Sequence, residues 1–240
     1  MQTTRLFENS PYLKTCNAKI VDIDDHILLD QTVFYPTGGG QPGDQGYLIV
    51  NDQKIEIINT QKHKLNREQI AHIVAEQVSL DDLKIGMPVD AYINWELRYA
   101  HMRMHSALHL LCAILPYGVS GCQIGATKSR MDFNYPKDKP SLDKAQIEEQ
   151  LNALIARDFA LSAYWIDEKH LDENPDMVRT MSVTPPRGTG KIRILEVGDK
   201  IDIQPCGGTH IQQTGEIGKI KILKIENKGQ SNRRISIAFA

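Results

Sequence analysis

Leu97-Arg-Tyr-Ala-His-Met-Arg-Met-His-Ser-Ala-Leu-His-Leu-Leu-Cys-Ala-Ile-Leu115 contains no glycine or proline, and Pro116 and Gly118 follow it directly. Helix formers closed by two breakers predict a helix over 97–115. Leu108, Leu111, Ile114 and Leu115 recur at helical spacing and predict a buried stripe. The chain before this helix has a different texture. Residues 18–23, 26–29, 54–58 and 89–94 are short β-type runs punctuated by Gly, Asp and Asn, and 70–78 fits a strand or a short helix equally well. Many short strands with few helical patterns predict a small barrel. After the helix come a second one over 141–159, with Ser141 as N-cap and Ile147, Leu151, Leu154, Ile155 and Phe159 on one side. Strands are expected at 160–167, 191–197, 201–204, 219–226 and 234–239. The expected class is α+β: an N-terminal β-barrel domain, 1–90, followed by an α+β domain, 91–240.

The same helix carries a pair of histidines one turn apart, His105 and His109, which helical geometry places on one face. About a hundred residues later stands Cys206-Gly-Gly-Thr-His210, where two glycines let the backbone curl until both ends point inward. Three imidazoles and one thiol form a complete tetrahedral ligand set for zinc. The competing reading makes them core histidines and an inert cysteine. His101 lies one turn before His105, and helical drift turns it about 80° from His109. It is expected to be a partly exposed helix residue outside the ligand set.

At 240 residues the chain is long enough for one large domain or two small ones, and its 41% hydrophobic and 24% charged residues are those of an ordinary globular protein. A net charge of −2 argues against a surface coated in positive charge for general nucleic-acid binding. A local basic run does exist: Lys219, Lys221, Lys224, Lys228, Arg233 and Arg234. It fits a solvated strand face, with Ile220 and Ile222 alternating inward, as well as it fits a nucleic-acid contact. The start of the chain is polar rather than a secretory signal, and no apolar stretch approaches the ~20 residues of a membrane helix. The four cysteines, Cys16, Cys112, Cys122 and Cys206, show no framework spacing. A reducing cytoplasmic setting is expected, where a thiol is a better metal ligand than half a disulfide.

Zinc protease chemistry needs a glutamate beside the first histidine, where this chain has Ser106, or before the second in the inverted motif, where it has Leu108. Two readings stay open: a zinc hydrolase, in which water takes a coordination position, and a structural zinc module with four protein ligands. Phe34-Tyr-Pro-Thr-Gly-Gly-Gly-Gln-Pro-Gly-Asp-Gln-Gly46 lacks the Lys-Ser or Lys-Thr of a phosphate loop. It is either an elaborate hairpin loop or part of a site.

Five stretches together resemble the freestanding alanyl-tRNA editing proteins, which are similar to the editing domain of alanyl-tRNA synthetase. These stretches are 34–46, 98–111 with His-Ser-Ala-Leu-His-Leu-Leu, Gln123-Ile-Gly125, Arg130-Met-Asp-Phe133, and Gln204-Pro-Cys-Gly-Gly-Thr-His210 running into Thr214-Gly-Glu-Ile-Gly218. The likeness spans nearly the whole chain and looks like the medium-length type, with a glycine-rich barrel domain but no aminoacylation domain or long C-terminal extension. It implies a barrel followed by an editing domain of the kind threonyl-tRNA synthetase shares. Its zinc ligands fall on His105, His109, Cys206 and His210, one ion per chain. The activity implied is ATP-independent hydrolysis of the ester joining serine or glycine to alanine tRNA, tRNA(Ala). The resemblance places Gln123 and Thr209 at the reacting end. It places Thr37, Gly38, Gly39, Gly40, Gln41, Ser106 and Asp132 at the substrate, and the basic run offers Arg233 and Arg234 for tRNA contact. The departures are Ala126 where synthetase editing domains usually carry serine, Met131 for a leucine or other aliphatic residue, and Ser106 for the commoner threonine. The alternative is a zinc-stabilised tRNA-binding module without activity.

Overall fold

The structure is a computed structural model that describes residues 2–174, 177–178 and 190–240. The chain divides into two compact units, Met1–Tyr99 and Ala100–Ala240. Among the described residues no helix is long and apolar enough to cross a membrane.

The first unit opens with β1 (Thr4–Arg5) and a single helical turn, α1 (Leu6–Asn9). It continues with β2 (Thr15–Ile23), β3 (His26–Leu29), β4 (Gln31–Thr32), β5 (Gly46–Val50), β6 (Gln53–Lys62), β7 (Ile70–Val74) and β8 (Pro88–Ile93). Six of these close into a barrel in the order β2-β3-β7-β6-β5-β8, and β1 pairs parallel with β4 outside it. Closure leaves no open edge in the ring. The ambiguous segment at 70–78 is thus a strand as far as Val74. Alternation supplies the core: Ile55 and Ile57 of β6 and Val89 and Ala91 of β8 point inward with Ile20, Ile27, Leu29 and Leu48. Register shifts at Ile20/Asp22 and Ile57/Asn59 bend the long strands.

The glycine-rich stretch crosses from β4 to β5, and two positions in it take left-handed backbone. Gly39 and Gly40 have φ of 57° and 82° at the centre of a tight turn, in which Gly38 and Gln41 exchange backbone hydrogen bonds of 3.0 and 2.9 Å. Two successive left-handed residues make this a turn of the primed type. Asp44 then anchors the stretch to Arg98. The Arg98 Nε donates to both carboxylate oxygens at 2.9 Å, and Nη2 contacts the same group and donates to the Val33 carbonyl at 2.7 Å. Asp44 also accepts from the Tyr35 amide at 2.6 Å, so the buried pair is saturated.

α2 (Trp95–Ile114) starts in the first unit, two residues before the predicted 97–115, and continues into the second. The second unit then contains β9 (Val119–Gln123), β10 (Lys128–Asn134), α3 (Lys144–Ala156), β11 (Leu161–Asp167), α4 (Glu168–Glu173), β12 (Lys191–Val197), β13 (Asp202–Pro205), β14 (Ile220–Asn227) and β15 (Asn232–Phe239). Two antiparallel sheets result, β14-β15-β10-β9 and β11-β12-β13. Within this unit α2 touches both. Cys112 Sγ lies 3.3 Å from Met131 Sδ, the Arg103 guanidinium sits 4.1 Å from the Phe239 ring centre, and His109 reaches Asp202.

Three expectations need correcting here. The stripe on α2 is in fact a helix buried almost all round, from His101 to Cys112 with Arg103 the exception. His101, expected to be partly exposed, is 3% accessible. A helix in contact with two sheets has no solvent face at that turn. The cap of α3 is Asp143 rather than Ser141, its carboxylate accepting from the Ala145 and Gln146 amides at 2.8 and 3.1 Å. A charged acceptor two residues closer to the first apolar turn takes the positive end of the helix. α3 in turn covers the outer edge of β14. Asn152 bonds the Ile220 amide and carbonyl, and Glu148 accepts from the Ile222 amide.

Candidate metal centre and editing site

The site is built by three segments of the second unit. α2 presents His105 and His109 from successive turns. β13 runs into the loop Cys206–Gly208, and His210 follows. The loop is held by Arg193 of β12, whose Nη1 donates to the Cys206 and Gly208 carbonyls at 2.9 Å each, while the Cys206 amide donates back to the Arg193 carbonyl at 3.0 Å. These elements bring one donor atom each from His105, His109, Cys206 and His210 within 4.8 Å of one another. His101 is not among them.

The donor geometry suits zinc. Cys206 Sγ lies 3.2 Å from His210 Nε2 and 3.6 Å from His105 Nε2. Tetrahedral bonds of ~2.05 Å to nitrogen and ~2.3 Å to sulfur require a nitrogen–sulfur edge of about 3.5 Å, between those two distances. The outward nitrogens have their own partners. His109 Nδ1 lies 2.8 Å from Asp202 Oδ2, and His210 Nδ1 lies 3.3 Å from Ser106 Oγ. Both Nε2 atoms are therefore left to face the cluster.

Charge within the cluster points the same way. Burial raises the Cys206 thiol, but the neighbouring His105 and His210 rings outweigh it and bring its pKa well below the ordinary value, favouring the thiolate that binds metal. Burial and His105 push the His210 ring well down, towards the neutral form a ligand needs. Burial works against a charged His109, yet Asp202 and the Cys206 sulfur more than compensate and raise it to about 10. A metal arriving there displaces that proton, so its binding weakens as pH falls.

Comparison with known proteins identifies the family. Residues 192–236, which include the Cys206–His210 loop, match the family described as the threonyl and alanyl tRNA synthetase second additional domain. Residues 4–97 match the class II (A) tRNA synthetases. The chain is 34% identical to the alanyl-tRNA editing protein AlaX-M of Methanosarcina barkeri, covering 97% of both chains. The chain belongs to the alanyl-tRNA editing protein family. Longer relatives contain it as a part. AlaX-L of Pyrococcus horikoshii is 33% identical over 96% of this chain and 56% of its own length, and the alanine–tRNA ligase of Pyrococcus furiosus is 33% identical over 98% and 26%.

The other residues expected at the site are placed as follows. Ser106 and Thr209 are fully buried, Ser106 against His210 as above. Gln123 ends β9, exposed, its Oε1 accepting from Arg130 Nε at 3.0 Å. Asp132 on β10 accepts from Arg130 at 3.0 Å and from Arg234 at 2.7 and 2.8 Å. Arg233 is half-buried, with Nη1 directed at the Gly229 and Asn232 carbonyls at 3.4 and 3.2 Å. Thr37 to Gln41 form the tight turn of the first unit, where Thr37 Oγ1 accepts from the Gly43 amide at 2.9 Å. In the basic run, Ile220 and Ile222 are buried, while Lys224 and Lys228 pair with Glu226 at 2.9 and 3.2 Å.

Sequence reasoning missed Asp202, Gln204 as its partner, and Arg193. The available signal was faint: polar residues at 202 and 204 alternate with Ile201 and Ile203 immediately before the ligand cysteine. Cys122, paired with Met131 across β9 and β10, also went unmarked. Burial and the nearby Cys206 charge push its thiol up to about 12, which makes it a neutral neighbour of the site.

Proposed function

We propose that this chain is a trans-acting aminoacyl-tRNA deacylase that hydrolyses the ester of mischarged tRNA(Ala), with serine or glycine as the wrong amino acid. The observation that carries the reading is the convergence of His105, His109, Cys206 and His210, in a member of the editing family, to tetrahedral spacing. One zinc per chain would be held by these four, and when bound it supplies a Lewis acid that polarises an ester carbonyl or an attacking water. A reducing cytoplasm suits the thiolate ligand. We assign Gln123 and Thr209 to the aminoacyl end, Ser106 to the orientation of His210, and Asp132 to the placement of Arg234. The turn Thr37, Gly38, Gly39, Gly40, Gln41 is assigned to substrate selection, within a barrel domain ahead of the editing domain. Arg233 and Arg234 are assigned to tRNA phosphates, so R233A/R234A should flatten the salt dependence of tRNA binding.

The need for such an enzyme is physical. Serine adds one hydroxyl to alanine, which an activating pocket rejects weakly, whereas a second site that hydrogen-bonds the hydroxyl discriminates well because alanine would leave its polar groups unpaired. The test is a pair of deacylation rates on seryl- and alanyl-tRNA(Ala), with zinc content measured alongside. Serine should be cleaved far faster, by up to the order of 10⁴. Cys206→Ala should lose both the metal and both activities, whereas Thr37 or Gln123 variants should keep the metal and narrow the ratio. Cleavage of neither ester by the zinc-loaded protein would leave a tRNA-binding module, and equal cleavage would leave an unselective esterase.

A further inference from the structure

Asp202 stands at the first position of β13, and its carboxylate is fully engaged in the interior. It is 1% accessible, Oδ2 lies 2.8 Å from His109 Nδ1, and Gln204 Nε2 is 2.8 Å from each of its two oxygens. Gln204 is itself 5% accessible and lies two residues along the same strand, hence on the same face. Burying a carboxylate costs several kcal/mol unless charge and hydrogen bonds compensate. The Gln204 amide alone does not balance a full negative charge, and the partner that Asp202 contacts is one of the four candidate ligands.

We infer that Asp202, clamped by Gln204, is the positioning residue of the metal centre, fixing the tautomer of His109 and neutralising the charge of the occupied site. This rests on the zinc reading above. A carboxylate can only accept, so the hydrogen it shares with His109 must be the Nδ1–H, and the proton that an arriving ion displaces is the one on Nε2, whose lone pair then faces the metal. Three neutral imidazoles and one thiolate leave a zinc ion with a net charge of +1 in a buried site. The Asp202 carboxylate, joined through the imidazole, brings the assembly to zero. The Gln204 clamp keeps the carboxylate from rotating away, so ring orientation is set before any ion arrives. Asp202 never touches the substrate in this scheme and acts through His109.

The measurement is zinc affinity by competition with a chelator, for the full-length wild type, Asp202→Asn and Gln204→Leu. It is paired with nitrogen-15 NMR of the His109 ring and the visible spectrum of the cobalt-substituted forms. Asp202→Asn should bind zinc 10–100-fold more weakly, since its neutral side chain can also donate to Nδ1 and turn the Nε2–H towards the ion. In the metal-free proteins, compared at a pH high enough to leave the ring neutral, His109 should then show a mixture of tautomers where the wild type shows one, which a merely space-filling role would not produce. Gln204→Leu should move affinity in the same direction by less, and it carries the test if Asp202→Asn does not fold. Unchanged zinc affinity and an unchanged His109 tautomer in a folded variant would overturn the inference while leaving the zinc reading intact. A wild type that binds no zinc would overturn both.

Discussion

At the scale of single residues, the candidate ligands and the groups that hold them differ in how readable they are. His105, His109, Cys206 and His210 are legible because their residue types name a chemistry and their spacings name a geometry. Asp202 is not, because a lone acid in a β-type run is ordinarily a solvated side chain, and only the folded chain shows it buried against His109. Asp44 is a parallel case in the barrel unit. It reads as a turn residue among glycines, yet it is 2% accessible and serves as counter-ion to Arg98, itself 0% accessible. Removing the acid alone leaves a guanidinium buried without a charge partner, which costs about 3–5 kcal/mol. Asp44→Ala should therefore lower the unfolding free energy of the barrel by that order in urea titration, and Asp44→Asn by less because the amide oxygen still accepts. An Asp44→Ala variant as stable as the wild type would show that the Pro11 and Val33 carbonyls are enough to compensate the buried guanidinium.

At the scale of elements, strong periodicity and flanking breakers marked α2, α3 and most barrel strands within a few residues. The strands that escaped notice are the two-residue β1 and β4 together with β5, β9 and β10. β9 reads Val-Ser-Gly-Cys-Gln and carries no apolar alternation, because its outward positions are polar and Gly121 packs against the Asp132 carboxylate. In β10 the pattern is interrupted by Asp132, buried through its pairing with Arg130 and Arg234 rather than through any apolar character. The burial of α2 was also invisible, since nothing local reveals that two sheets meet the same helix. The start of α3 gives a direct test. Asp143→Ala removes the acceptor for two otherwise unpaired amides and should destabilise the second unit by about 1 kcal/mol, whereas Ser141→Ala should do nothing measurable. Thermal unfolding of the two variants separates these outcomes, and a larger loss at Ser141 would return the cap to the earlier position.

At the scale of the molecule, the two units have separate sources of stability and separate optical reporters. Trp95 packs on the barrel core, and Trp165 lies on β11 in the second unit. On the proposed reading zinc would bind only the folded second unit, so saturation at about 1,000 times the dissociation constant should stabilise that unit by about 4 kcal/mol. Chelation should lower the Trp165 transition by this amount and leave the Trp95 transition where it was. Acid acts on the other side. His72 is buried in the barrel, bonded to the Ile27 carbonyl at 3.0 Å and to Thr32 Oγ1 at 2.8 Å, and burial brings its pKa from 6.5 down to about 4. The unfolded chain takes up a proton as pH falls through 6.5, and the folded barrel does not until about 4. Stability that is fully present above the upper value is therefore lost across that window, by about 3 kcal/mol. With chelator present throughout, the Trp95 transition of a Trp165→Phe protein should weaken steeply between these limits, and His72→Gln should remove that part of the slope. If chelation moves both tryptophan signals together, the two units unfold as one cooperative body. If the slope survives in His72→Gln, other groups of the barrel carry its acid sensitivity.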